Sequence, residues 1–294
     1  MIVAERALAA RPPTESRPWL VRLYVIVERL RRRFARGVAA LAERVGNLVM
    51  GLYRGVWLGL LDRNELSAIT SIAYDEGRGS DRWDEPRYVE SGLYTWEKDF
   101  IARLLPGARV LIGCAGAGRE AFALERGGFA VTAFDCSDVL LTAARTRAAA
   151  DGAAIRFVNA MPDETPDLGT FDAAIVGWGG YIHIVGSGRR IGFLRGIRRQ
   201  LVGGAPLLVS FSTRPEKSRR FGLSTAIAGS VRRLRSKEPI ELGDDLTHVG
   251  TFAHCFTRDE IAAELEAAGF ALDWFGAKDL YAVKDGYAVG IARP

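Results

Sequence analysis

The chain of 294 residues is poor in cysteine and in long apolar runs. Its three cysteines, Cys114, Cys136 and Cys255, are odd in number and far apart. That spacing excludes a disulfide framework and a cysteine-based zinc set, and it points to a reducing, cytoplasmic setting. Between Arg17 and Arg63 the longest uncharged runs are Val45–Tyr53 and Gly55–Leu61, well below the roughly 18–20 apolar residues that span a bilayer. No secretory signal is expected, because Arg11-Pro12-Pro13 and Glu15 interrupt the start before an apolar region develops. Interleaved basic and aromatic patches are also missing from the larger, C-terminal part of the chain, which argues against nucleic acid as a partner.

What is present is unevenly distributed. The net charge is +5, but residues 1–63 hold twelve arginines against Glu5, Glu15, Glu28, Glu43 and Asp62, a balance of +7. Over Trp19–Leu61 apolar residues such as Leu23, Val27, Leu30, Leu41, Val45, Leu48, Leu52 and Val56 recur every three or four positions, the period of one helical face. Residues 1–63 are therefore read as a basic amphipathic extension of two helices broken near Gly37. The face formed by residues 17–61 suits packing on the main domain or a homodimer, and its basic character leaves open peripheral contact with an anionic membrane. Residues 64–93, polar around Asp75-Glu76-Gly77-Arg78-Gly79, read as a linker or lid.

From about Tyr94 helix and strand signals alternate: helix Tyr94–Leu105, strand Arg109–Ile112, helix Arg119–Glu125, strand Ala130–Phe134, helix Val139–Ala150, strand Ile155–Val158. Strand Phe171–Val176, helix Ile191–Leu201 and strand Ala205–Phe211 continue the series. Such spacing predicts parallel strands joined by helices. Residues 214–250 break it with a basic stretch, read as an insertion over the site that leaves an anionic substrate open. Thr257 and Glu260 form a capping box for a helix ending near Gly269, and two short strands follow at Ala271–Phe275 and Tyr287–Ile291.

The chemistry is concentrated at Val110-Leu111-Ile112-Gly113-Cys114-Ala115-Gly116-Ala117-Gly118-Arg119-Glu120. An apolar strand there enters a turn of small residues that opens a helix, so that backbone N–H groups can approach a ligand. Asp135 ends the next strand, placed to accept hydrogen bonds from a ribose. The same pattern, Gly116-x-Gly118-x-x-Ala121 with an acid about 20 residues on, also fits dinucleotide binding. The order of later elements decides between them: a glycine turn at Gly203-Gly204, a buried fifth strand, and a final strand pair. This resembles the class I S-adenosylmethionine-dependent methyltransferase family over residues 94–294.

The resemblance implies an α/β fold, a seven-stranded, mostly parallel sheet with helices on both faces, preceded here by the helical extension. It implies S-adenosylmethionine as cofactor, held by Gly113, Cys114, Ala115, Gly116, Gly118, Asp135, Cys136, Ala160, Met161, Gly177 and Trp178. Ile112 stands where the family usually has an acid and Cys114 where it has glycine. Tyr181 and Tyr94 are candidate substrate contacts, and His183 and His254 candidate bases; no metal is expected. The expected activity is in-line methyl transfer to a small molecule. The rival readings are a nicotinamide-dependent oxidoreductase and a non-catalytic cofactor-binding interaction module.

Overall fold

The computed structural model describes residues 18–75, 83–177, 179–247, 249–280 and 283–292. In chain order the elements are α1 (Pro18–Leu60), α2 (Arg63–Asp75), α3 (Pro86–Glu90), α4 (Thr95–Ile101), β1 (Arg109–Gly113), α5 (Arg119–Arg126), β2 (Ala130–Asp135), α6 (Asp138–Asp151), β3 (Arg156–Asn159) and β4 (Ala173–Val176). A 3-10 turn (Tyr181–His183), α7 (Ser187–Arg198), β5 (Pro206–Thr213), α8 (Arg219–Leu234), β6 (Asp244–Leu246), β7 (Phe252–Phe256), α9 (Arg258–Ala267), β8 (Phe270–Leu280) and β9 (Val283–Ala292) complete the chain. Internal contacts divide it into two compact units, residues 1–50 and 51–294. Among the described residues no helix is long and apolar enough to cross a membrane.

In the first unit α1 is continuous through Gly37, where the sequence predicts a break. One glycine costs a helix about 1 kcal/mol relative to alanine, which the remaining turns absorb.

The second unit is built on a sheet whose strands β3, β2, β1, β4 and β5 run parallel, with β9 antiparallel to β5 and β8 antiparallel to β9. These are the seven expected strands. A further pair was not foreseen: β7 joins β5 at Ser212 and Thr213, and β6 runs antiparallel to β7. Val110, Leu111 and Ile112 of β1 are all fully buried, as a central parallel strand covered on both faces requires. Leu111 packs on one side with Phe193, Leu194, Ile261 and Leu265, while Val110 and Ile112 pack on the other with Trp96, Phe100 and Leu124. Helices therefore cover both faces.

The basic stretch around α8 serves a different purpose from the one expected. Arg232 donates to the carbonyls of Leu58 (2.8 Å) and Leu61 (2.6 Å), and Arg235 and Lys237 donate to the carbonyl of Leu60. The last carbonyls of a helix have no partner within it and carry partial negative charge, so these cations cap α1. Among the described residues, none of 214–250, expected from sequence as a cover for the site, lines the cavity described below. The last ten residues of α1 approach α8 closely through Gly51, Gly55 and Gly59. A Cβ at these positions would lie 2.8 Å from Leu223, 2.7 Å from Ile227 and 2.6 Å from Val231.

Residues 64–75, read from sequence as linker, are helical. Asp62 accepts from the Glu65 N–H, and Glu65 accepts from the Asp62 N–H, a capping box that starts α2. Leu66, Thr70 and Ala73 form its buried side.

Candidate active site

A cavity opens at the carboxyl ends of β1, β2 and β3, where the parallel sheet leaves a crevice. Cys114, Ala115, Gly116, Asp135, Cys136, Ala160, Met161 and His183 line it together. Its other wall is α2, through Ser67, Thr70, Ser71 and Tyr74, with Trp83 and Tyr88 beyond. Sequence reading passed over this wall because the segment is polar. The signal that marks it is the Asp62-x-x-Glu65 box.

The turn after β1 is held in a conformation costly for side chains. Cys114 has φ 55°, the left-handed region in which glycine is at ease and other residues lose about 1 kcal/mol or more. This accounts for the family's usual glycine at that position. Space is made for the cysteine by its neighbours: a Cβ on Gly180 would collide with the Cys114 side chain, and one on Gly177 with its carbonyl. Burial raises the Cys114 thiol well above its ordinary pKa, so it remains a neutral lining group. Gly113 and Gly118 act through the backbone and do not line the cavity. Gly113 admits the Phe134 ring, and Gly118, at φ 90°, starts α5. Ile112 lies in the core. Trp178 lies outside the described residues.

Asp135 sits where the cradle needs an acceptor. Its Oδ2 accepts from the Gly116 N–H at 2.8 Å and its Oδ1 from the Ser137 N–H at 2.8 Å. Burial raises its pKa while these two donors oppose the rise. Ser137 in turn donates to Asp75 at the end of α2, so the two walls are tied at the mouth. Met161 is 65% exposed, which places its thioether in the opening and not in the core.

His183 is built into a directed chain. Its Nδ1 faces the Phe252 carbonyl and its Nε2 lies 2.8 Å from the Tyr74 hydroxyl. A carbonyl can only accept, so Nδ1 carries the proton and Nε2 accepts from Tyr74. Burial lowers the His183 pKa to about 4, which keeps the ring neutral at physiological pH. Burial also raises the Tyr74 pKa, with the Asp135 carboxylate adding to the effect. The Phe252 N–H donates to Thr70, fixing β7 against α2.

Gly177 does not line the cavity, and three further sequence candidates, Tyr94, Tyr181 and His254, do not reach it either. Tyr94 stacks on Trp96, with its face against the Arg119 guanidinium at 4.1 Å. Tyr181 is fully buried and donates to Glu264 at 2.6 Å. His254 is buried on β7, with Nδ1 2.7 Å from Asp244. Tyr181 and His254 belong to one structural network, since Arg190 pairs with both Glu264 and Glu241, and Glu241 stands 3.8 Å from His254. The carboxylates Glu241 and Asp244 beside His254 form a metal-like cluster by spacing, but Arg190 already supplies the cation at Glu241.

The donor set fits S-adenosylmethionine. Among the described residues the one arginine or lysine lining the cavity is Arg119, and it is paired with Glu97 and Glu120. Asp135, Asp163 and Glu164 also line it. An acid-rich crevice suits a ligand bearing a sulfonium and an ammonium better than a pyrophosphate, which counts against a nicotinamide dinucleotide.

The comparisons agree with this geometry. Residues 110–204 match a family model described as a methyltransferase domain. No curated protein matches the chain in sequence. Among solved structures, a 1,6-didemethyltoxoflavin N1-methyltransferase from Burkholderia thailandensis, with S-adenosylhomocysteine bound, is 20% identical with a TM-score of 0.58, over 80% of this chain and 92% of that one. A methyltransferase from Methanosarcina mazei is 18% identical with a TM-score of 0.56, over 69% and 99%. The CcbJ methyltransferase from Streptomyces caelestis is 17% identical with a TM-score of 0.53, over 80% and 100%. Residues 110–204 thus match a methyltransferase domain, and the chain has the fold of solved S-adenosylmethionine-dependent methyltransferases.

Proposed function

We propose that the enzyme methylates a small molecule at a protic nucleophile, a hydroxyl or an amine, held between the cofactor cradle and α2. The directed chain through Tyr74 carries this reading. Because Tyr74 donates its single proton to His183, its oxygen has lone pairs left over for the cavity. A nucleophile bearing a hydrogen can donate to that oxygen, whereas a carboxylate or thiolate meets lone pair with lone pair. The solved 1,6-didemethyltoxoflavin N1-methyltransferase supports a small-molecule substrate.

Bound S-adenosylmethionine supplies an electrophilic methyl group on a sulfonium. Gly116 to Cys136 would hold the donor, with Asp135 on its ribose, and Ala160 and Met161 beside the base. Tyr74 orients the acceptor, and the walls exclude water, so that alignment provides most of the acceleration. With its pKa near 4, His183 is a weak sink for the nucleophile's proton. We therefore assign it to orientation, and the nucleophile's proton passes to solvent as the methylated product leaves.

The test is methyl transfer from labelled S-adenosylmethionine to a panel of phenols, alcohols, amines and matched carboxylates, run against pH. Tyr74→Phe should lower turnover about three- to tenfold, the equivalent of one hydrogen bond, while donor affinity stays within about twofold. The rate should show no loss as pH falls through the ordinary histidine range near 6.5. Loss belongs near pH 4, where His183 takes its second proton, Nε2 becomes a donor and the chain reverses. Turnover confined to carboxylates, or a rate limb near 6.5 that His183→Gln abolishes, would overturn the assignment.

A further inference from the structure

We propose that α1 lies along an anionic lipid surface, apolar side down. The apolar stripe of this helix is in water. Val27, Leu30, Val38, Leu41, Val45 and Leu48, spaced by three, four or eight residues, are each about half or more exposed, Leu41 at 62%. Soluble proteins rarely leave so extended an apolar surface without an occupant.

Charge selects the occupant. Within Pro18–Leu60 there are eight arginines and, for acids, only Glu28 and Glu43. Arg29 and Arg44 are exposed and fall between the stripe positions. Seven of the eight arginines precede residue 50; the eighth, Arg54, is held by Asp245. A basic polar side opposite an apolar one binds a membrane interface by burial of one and attraction of the other.

A second copy of the chain suits the surface less well. A helix partner covers a narrow seam of alternating three- and four-residue spacing. Val49, one turn on from Val45 and beside Leu48, is also exposed, at 55%, and lies outside such a seam, so pairing would leave it wet. Two arginine-rich helices side by side also repel each other. A lipid surface covers the wider apolar area.

The experiment is co-sedimentation of the full chain with vesicles of phosphatidylcholine alone and of phosphatidylcholine with phosphatidylglycerol, together with light scattering to give the mass in solution. The proposal expects binding to the anionic vesicles, at least about tenfold weaker binding to the neutral ones, and weakening by salt. Leu41→Gln/Val45→Gln/Leu48→Gln should lower anionic binding at least about tenfold without altering the melting temperature, since all three side chains are exposed. Arg29→Gln/Arg44→Gln should reduce the preference for anionic over neutral vesicles. Absence of vesicle binding overturns the proposal, as does equal binding to both compositions. A dimer dissolved by the triple substitution, with no vesicle binding, assigns the face to a second copy instead.

Discussion

Replacing Arg119 with leucine is expected to destabilise the fold by about 3–5 kcal/mol, the cost of leaving a buried charge without its partner. Arg119 is 1% exposed and its guanidinium reaches Glu97 at 2.6 and 2.8 Å, Glu120 at 2.6 Å and the Gly92 carbonyl at 2.6 Å. Glu97 is fully buried, and burial already raises its pKa. With the arginine gone, that rise has no nearby cation to oppose it. An acid whose folded pKa lies above its unfolded value is most stabilising below the unfolded pKa, and the contribution is lost as pH rises through the folded one. The variant should therefore lose further stability as pH rises above the ordinary glutamate range. Arg119→Leu/Glu97→Leu should recover part of the loss, because apolar groups can replace a buried pair but not half of it. Urea unfolding at several pH values measures all three. A loss below about 1 kcal/mol for the single variant would show that water reaches the pair.

Asp135→Ala should weaken S-adenosylmethionine about ten- to a hundredfold, the effect of losing bonds to a charged acceptor worth roughly 1.5–3 kcal/mol. S-adenosylhomocysteine should weaken equally, since the two ligands share the ribose. Calorimetric titration reads both. The carboxylate has a second role here, because it also fixes the Gly116 N–H in the turn. Asp135→Asn separates the two: its amide oxygen can still accept from Gly116 while the charge is gone, so an intermediate loss is expected. Unchanged affinity in the alanine variant would remove Asp135 from the cofactor site.

The parts of the fold that were legible in sequence are those where local chemistry dictates the element. Val110–Ile112 reads as a buried strand because nothing in it tolerates water, and the small residues that follow can serve only a close backbone approach. Thr257 and Glu260 announce α9 because each satisfies the other's backbone, and both bonds are present. The Asp62–Glu65 box was as explicit, but the polar composition around it concealed the helix that carries Tyr74. β6 and β7 have three and five residues, too few for alternation to register. The roles of Tyr181, Tyr94 and His254 depend on burial by distant segments, which residue type does not encode. His183 lines the cavity from its position after β4. Its tautomer depends on the carbonyl of Phe252, 69 residues away.

The contact between α1 and α8 has a consequence for the history of this sequence. At Gly51, Gly55 and Gly59 the space a side chain would need is already filled by Leu223, Ile227 and Val231. Neither helix can enlarge there unless the other shrinks, so substitutions should have been inherited in pairs. Among descendants of a common ancestor, glycine at 51, 55 and 59 should accompany a branched residue at 223, 227 and 231, and alanine or serine on α1 should accompany something smaller on α8. An alignment in which the two columns of each pair vary independently would mean that the helices meet differently in those lineages.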